Sequence, residues 1–307
     1  MKHPEPRIIN SIAEYHKLVG LPHPEHPLIS VVDLTCSRGT NVDQLPDNKL
    51  INNFYNIFLK KNVNGSMGYG RKYYDFSNGF MGFAAPMQVF TINKDLDISN
   101  ISGWMLLIHP DFIRKYPLMK RITDYGFFSY EMNEALHLSE KEEIVIDRIL
   151  SDIRAEYQQP IDVYSQDVIV SHLEVLLNYA NRFYNRQFIT RSNSEQEPLA
   201  RFDELLSGIF SADHINQLPT VNELAEQLNV SAHYLSDMLR SSTGQNTQQH
   251  IHNRLIEKAK EILLTTSLSI NEIAFKMGFE YPQYFNRLFK NKTGVTPAAF
   301  RKGVVNN

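Results

Sequence analysis

Between Glu280 and Lys302, five cations (Arg287, Lys290, Lys292, Arg301 and Lys302) share the stretch with one carboxylate, Glu280. A local excess of this kind suits phosphate oxygens, whose attraction for Lys and Arg is electrostatic. The excess is local: the formal net charge of the 307 residues is −3, and from Leu199 onward 11 Lys and Arg stand against 10 Asp and Glu. Other chemistry finds less material. A single cysteine, Cys36, excludes an intrachain disulfide framework and any multi-cysteine zinc site. A metal-dependent barrel enzyme needs several histidines and a carboxylate on facing strands. Here His23 and His26 lie among Pro22, Pro24 and Pro27, and only His109 falls at the end of a strand-like run. The expectation is therefore no metal, no cofactor and no catalytic residues.

The elements that must present the basic stretch are written twice. Thr220-x-x-Glu223 and Ser269-x-x-Glu272 are capping boxes that start short helices. Apolar residues follow at helical spacing, Val221, Leu224, Ala225 and Leu228 in one copy and Ile270, Ile273, Ala274 and Met277 in the other. Asn229 and Gly278 stand where a left-handed residue would end each helix and turn the chain. A second helix follows, carrying Tyr234, Leu235, Met238 and Leu239 or Tyr284, Phe285, Leu288 and Phe289, with Pro282 in a first-turn position. The offset is about 49 residues before the turn and about 50 after it. The unit is a helix-turn-helix, whose second helix can enter a major groove. Thr247 to Thr266 reads as a connecting helix of roughly 27–30 Å, close to the ~34 Å between successive major-groove faces.

The residues Ala225, Leu235, Gly244, Ala259, Leu263, Ile273, Ala274, Gly278, Phe279, Phe285, Phe289, Lys290, Gly294, Thr296, Pro297 and Arg301 resemble the signature of the arabinose-regulator (AraC/XylS) family. The run from Ile273 to Phe279, continued by Tyr284 to Pro297, is its most diagnostic part. The resemblance covers about a third of the chain. It implies a bacterial DNA-binding transcriptional regulator, more often an activator, with double-stranded DNA as partner and RNA polymerase as a further candidate. Carried over by position, it assigns base reading to Ala232, His233, Ser236 and Asp237 in the first copy and to Pro282, Gln283, Asn286 and Arg287 in the second. Arg287 could bridge guanine acceptors, and Gln283 or Asn286 could pair with adenine. Arg240, Lys290, Lys292 and Arg301 are then placed for phosphates. Asp237 departs from this logic: it either accepts from a cytosine amine or weakens the first copy as a reader.

The amino-terminal half is strand-like. Ile29 to Leu34, Asn53 to Leu59, Tyr69 to Phe76, Phe80 to Ala84, Met87 to Ile92 and Trp104 to Ile108 are β-branched or aromatic runs punctuated by turn residues. This spacing fits a small antiparallel barrel or sandwich, and the family resemblance implies a cupin-like, effector-binding barrel at about residues 25–110. Tyr69, Arg71 and Tyr73 on one strand, with Trp104, are the effector candidates; their alternative is as ordinary core and surface residues. The fold class expected is α+β with two domains: residues 1–189 for effector and dimerisation, a polar linker at 190–198, and an all-α domain at 199–307.

Two helices close the first domain. Ser139-x-x-Glu142 caps one, with Ile146, Ile149, Leu150, Ile153 and Tyr157 along its apolar stripe. The other, roughly Tyr164 to Asn185, spaces Ile169, Leu173, Leu176, Ala180 and Phe183 alternately by four and three. That stripe either packs on its own barrel or forms a homodimer interface, the reading the resemblance favours. The chain begins with no apolar signal segment, and no apolar run approaches 18 residues, so a cytoplasmic protein with no membrane partner is expected. The rival to a regulator is a barrel-fold small-molecule-binding protein or enzyme whose helical tail serves protein assembly.

Overall fold

A computed structural model describes residues 6–37, 50–62, 67–69, 72–74, 79–90, 100–131, 134–159, 162–194, 197–212 and 214–305. The chain divides into two compact units, Met1–Gln187 and Phe188–Asn307. The first is mixed strand and helix; the second is helical.

The amino-terminal unit opens with β1 (Arg7–Ile9) and α1 (Ile12–Leu18), neither of which the strand and helix patterns announce. Both are short, so no apolar period can establish itself. There follow β2 (Ile29–Asp33), β3 (Leu50–Asn52), β4 (Tyr55–Lys61), β5 (Met67–Tyr69), β6 (Lys72–Tyr74), β7 (Phe80–Ala84), β8 (Val89–Phe90) and β9 (Ser102–Ile108). They form a four-stranded sheet in the order β2-β9-β4-β7, a three-stranded sheet in the order β1-β3-β8, and the ribbon β5-β6. Among the described residues no closed barrel forms, and β1 runs parallel to β3.

Register gives the four-stranded sheet two distinct faces. Asn56 sits opposite Leu107 and Ala84, Phe58 opposite Met105 and Gly82, and Lys60 opposite Gly103 and Phe80. Since side chains alternate, these share one face. Val32, Phe54, Phe58, Phe80, Met105 and Leu107 form a buried cluster there with Ile9, Ile12 and Leu50. Phe58 lies flat over Gly82, where an added Cβ would stand 2.3 Å from the ring; any larger residue would displace it.

The other face carries Tyr55, Ile57, Leu59, Phe83, Trp104 and Leu106, and helices cover it. After α2 (Pro110–Ile113) and α3 (Leu118–Arg121) come α4 (Glu140–Tyr157) and α5 (Ser165–Ser194). The capping box at Ser139 and Glu142 is formed in both directions. The Trp104 indole donates to Asp147 on α4 at 2.9 Å, Lys61 pairs with Glu143, and the Tyr184 ring of α5 reaches Phe83. Ile169, Leu173, Leu176, Ala180 and Phe183 are all buried within the single chain. Of the two uses open to that stripe, packing on its own unit is the one seen; surface spent on the core is not free for a second subunit. Thr190 to Ser194, which read as polar linker, complete the last turns of α5, and residues 195–196 lie outside the described residues.

The carboxy-terminal unit contains α6 (Glu197–Ser211), α7 (Val221–Gln227), α8 (Ala232–Thr243), α9 (Thr247–Thr265), α10 (Ile270–Lys276), α11 (Pro282–Thr293) and α12 (Pro297–Val305). Leu224, Leu235, Leu239, Leu255, Leu263, Ile273, Phe285 and Phe289 are its buried centre. Both turn residues are left-handed, Asn229 at φ 57° and Gly278 at φ 82°. Gly278 also abuts the segment before α7, since a Cβ there would come within 2.9 Å of the Ile215 carbonyl oxygen. Gly208, inside α6, meets nothing within 4 Å.

Two glycine substitutions should therefore act in opposite directions. Gly208→Ala is expected to stabilise the carboxy-terminal unit by about 0.5–1 kcal/mol through helix propensity. Gly278→Ala is expected to cost about 2 kcal/mol, combining left-handed strain with the backbone clash. Urea unfolding followed by far-ultraviolet circular dichroism measures both.

Candidate nucleic-acid interface

The two copies agree at the level of individual hydrogen bonds. Thr220 N–H donates to Glu223 Oε2 (2.8 Å) and Glu223 N–H to Thr220 Oγ1 (3.2 Å); Ser269 and Glu272 repeat the pair at 2.7 and 3.2 Å. These bonds hold both carboxyls below the usual glutamate value, the backbone bond leading for Glu223 and the side-chain bond for Glu272. At the turn, Val230 N–H donates to Ala225 O and Phe279 N–H to Ala274 O, both at 3.0 Å. These are the bonds that close a helix through a left-handed residue. The second helices end alike: Gly244 and Gly294 are left-handed, and Thr243 and Thr293 donate back to Leu239 O and Phe289 O.

The correspondence continues into a third helix that the sequence reading left out. Asn246 caps α9 and Thr296 accepts from Ala299 N–H at the start of α12. Each copy is thus three helices, α7-α8-α9 and α10-α11-α12. The connector α9 has 19 residues, or about 28 Å at helical rise.

Side chains, however, differ between the copies. On α8, His233 and Arg240 are exposed, while Ala232, Ser236 and Asp237 are half-buried. Asp237 accepts from Arg240 at 2.8 Å, and Ser236 Oγ lies 3.0 Å from Thr247 Oγ1. Two of the expected readers and one expected phosphate ligand are therefore engaged with neighbours. Tyr234 is buried, its ring 5.1 Å from Phe188.

On α11, Gln283, Tyr284, Arg287, Lys290 and Asn291 are exposed, one outward face at helical spacing. Pro282 and Asn286 are half-buried, and the Asn286 amide donates to Pro282 O at 3.0 Å. The Arg287 guanidinium sits 5.5 Å from the Tyr284 ring centroid, within cation–π range, and Tyr281 meets Tyr284 edge-on. Tyr284, read from the sequence with the apolar face, is 49% exposed. The signal was its spacing: one residue before Phe285, it points about 100° away from the buried direction.

Among the expected phosphate ligands, Lys290 and Lys292 are exposed on and after the outward face. Lys292 also adds its charge to the burial that holds His252 below the usual histidine value. Arg301 differs: its Nε–H donates to Leu263 O in the last turn of α9 at 3.0 Å, and its Nη2 is buried. It caps a helix end, where a cation is favoured, instead of facing outward.

The effector candidates do not converge. The run Tyr69 to Phe76 is two strands, with Tyr73 opposite Gly68 and Tyr69 opposite Lys72, and Arg71 lies outside the described residues. Trp104 points to α4, on the sheet face opposite Met105 and Leu107. Among the described residues no group of three or more His, Cys, Asp or Glu could hold a metal, and no helix is long and apolar enough to cross a membrane.

Residues 224–303 match the family described as "Helix-turn-helix domain" (HTH_18). The chain is 28% identical over 153 residues to the "Uncharacterized HTH-type transcriptional regulator YfiF" of Bacillus subtilis, covering 47% of this chain and 45% of that protein. It is 31% identical over 124 residues to the "Msm operon regulatory protein" of Streptococcus mutans, covering 37% and 44%. Over 115 residues it is 28% identical to the "HTH-type transcriptional activator RhaR" of Enterobacter sp., covering 38% and 40%. The matched stretch spans under half the length of each of these relatives.

Two substitutions distinguish the copies. Arg287→Ala should cost about 1–3 kcal/mol at one base position, measured by fluorescence anisotropy across single-base duplex variants; an equal loss on every duplex identifies a phosphate contact instead. Asp237→Ala should release Arg240, tighten binding, and steepen the log K against log salt slope by about one. Weaker binding to a single sequence would show Asp237 to be a base acceptor.

Proposed function

Since residues 224–303 form an AraC-type helix-turn-helix domain, we infer that the chain is a sequence-specific DNA-binding transcriptional regulator responsive to a small-molecule effector. The observation that carries this reading is the repeated set of caps, left-handed turns and helix ends, which supports two reading helices about one connector length apart. In the proposed arrangement α11 supplies most base discrimination through Gln283 and Arg287, with Asn286 beside them, and Lys290 and Lys292 set orientation on the phosphates. In α8, Ala232, His233, Ser236 and Asp237 make the weaker reader. Activation is the favoured direction, because relatives such as RhaR are named as activators, and RNA polymerase is the corresponding partner.

The amino-terminal residues 1–189 are assigned the effector role in this proposal, as a cupin-like unit whose support is its antiparallel sheet with one face turned to an apolar interior. Effector binding would bias how the DNA-binding residues 199–307 are presented, through the connection at 190–198. Homodimerisation in the cytoplasm belongs to the same reading, since paired domains suit paired half-sites. With the Ile169–Phe183 stripe buried, the dimer surface lies elsewhere.

A salt-dependent gel shift on promoter fragments tests the reading: a sequence-preferred complex that weakens steeply with salt is expected. A protein whose helical tail serves only assembly would give none. Light scattering should return twice the 35.5 kDa chain mass. Leu173→Glu should unfold the amino-terminal unit, not merely separate subunits, and a soluble, folded monomer would return the stripe to the interface.

A further inference from the structure

The inner face of the four-stranded sheet is apolar except along one line. Asn56 and Lys60 share that face with Phe58 between them, and Asn52 lies on the buried side of β3 with Leu50, a member of the same cluster. Asn52 is 3% and Asn56 7% exposed, and the Oδ1 atom of each is buried with no hydrogen-bond partner. A buried, unpaired carbonyl oxygen costs about 1–3 kcal/mol, so two in one region call for an explanation. The Lys60 ammonium lies over the Phe58 ring, 4.8 Å from its centroid. That contact uses the ring face and leaves N–H donors free, while burial holds the group below the ordinary lysine value. Beside Asn56 the neighbouring strand carries Ala84, and beside Lys60 it carries Gly103, so neither contributes bulk. Asn52 and Asn56 are four residues apart, within about 14 Å even on extended chain.

We propose that Asn52, Asn56 and Lys60 bind a small hydroxylated anion, whose hydroxyl groups donate to the two asparagine oxygens and whose carboxylate or phosphate accepts from the Lys60 ammonium. Acceptors that need donors select hydroxyl groups, and a cation set among aromatic rings selects an opposite charge. The site rests on the effector reading given above and specifies its ligand class. Trp104, Tyr69 and Tyr73 play no part in it.

The test uses the full chain and the probes D-gluconate, D-glucuronate and glucose 6-phosphate, with D-glucose and hexanoate as controls lacking charge or hydroxyls. Thermal shift and calorimetry should show binding by one or more of the anionic polyols and at least tenfold weaker binding by both controls. Lys60→Met should remove the preference for charge, and Asn56→Leu should weaken binding at least tenfold. Both variants should keep the circular dichroism spectrum, with the ligand-free melting temperature of Asn56→Leu unchanged or raised, because an unpaired buried carbonyl is gone. Asn52→Ser serves as a smaller change if Asn56→Leu does not fold. Should a compound lacking acid and hydroxyl groups alter DNA affinity equally in wild type and variants, this site is overturned and the effector reading stands. If no compound in a broad metabolite panel alters DNA affinity or melting temperature, both fall. Anionic polyol binding untouched by all three substitutions would assign the asparagines to bound water and overturn the site.

Discussion

Everything the carboxy-terminal unit does depends on how its short helices end. A helix of seven residues is too short to hold itself together in water, and α7 and α10 are each that length. What fixes them is reciprocal capping at one end and a left-handed residue at the other, with the closing bond from Val230 or Phe279 returning inside the helix. Those few bonds set the angle at which α8 and α11 leave the turn. The outward faces of α8 and α11 are consequences of that angle, and the buried Leu235, Leu239, Phe285 and Phe289 hold it.

This is also why the carboxy-terminal fold was legible in the sequence. Capping boxes, Asn and Gly at left-handed positions, and apolar spacing each name a local geometry, and each was found as read. Side-chain commitments were harder. That Asp237 would turn to Arg240, or that Arg301 would turn in to Leu263, depends on which partner lies within reach, and no local pattern encodes that. Tyr234 and Tyr284 occupy equivalent places in the repeat, yet Tyr234 is covered by Phe188 and Tyr284 is half exposed; the difference comes from a residue outside both copies.

The amino-terminal half was legible as strands but not as a sheet order. The runs at Ile29, Phe80 and Trp104 match β2, β7 and β9 closely, because β-branched and aromatic residues between turn signals identify a strand without saying which neighbour it takes. Which face points inward follows only from register. Trp104 therefore looked as available to a ligand as Met105, though one donates to Asp147 and the other lines the interior. The stripe on α5 was read correctly as apolar, and its alternatives were separable only by seeing what covers it.

The contact at Gly278 changes what the duplication means. Ile215, just before the first copy, donates its N–H to the Lys276 carbonyl at the end of α10, and the same segment closes over Gly278. Residues that lead into the first helix-turn-helix thus complete the turn of the second. The copies are alike in sequence but are wired in a loop, so they are not interchangeable modules. A fragment that kept only α10 to α12 would expose its turn glycine to water and lose the strap across it, and a first copy moved elsewhere would carry away part of its neighbour's floor. Duplication here produced one folding unit with two outward faces, able to diverge in what they contact while remaining bound to fold together.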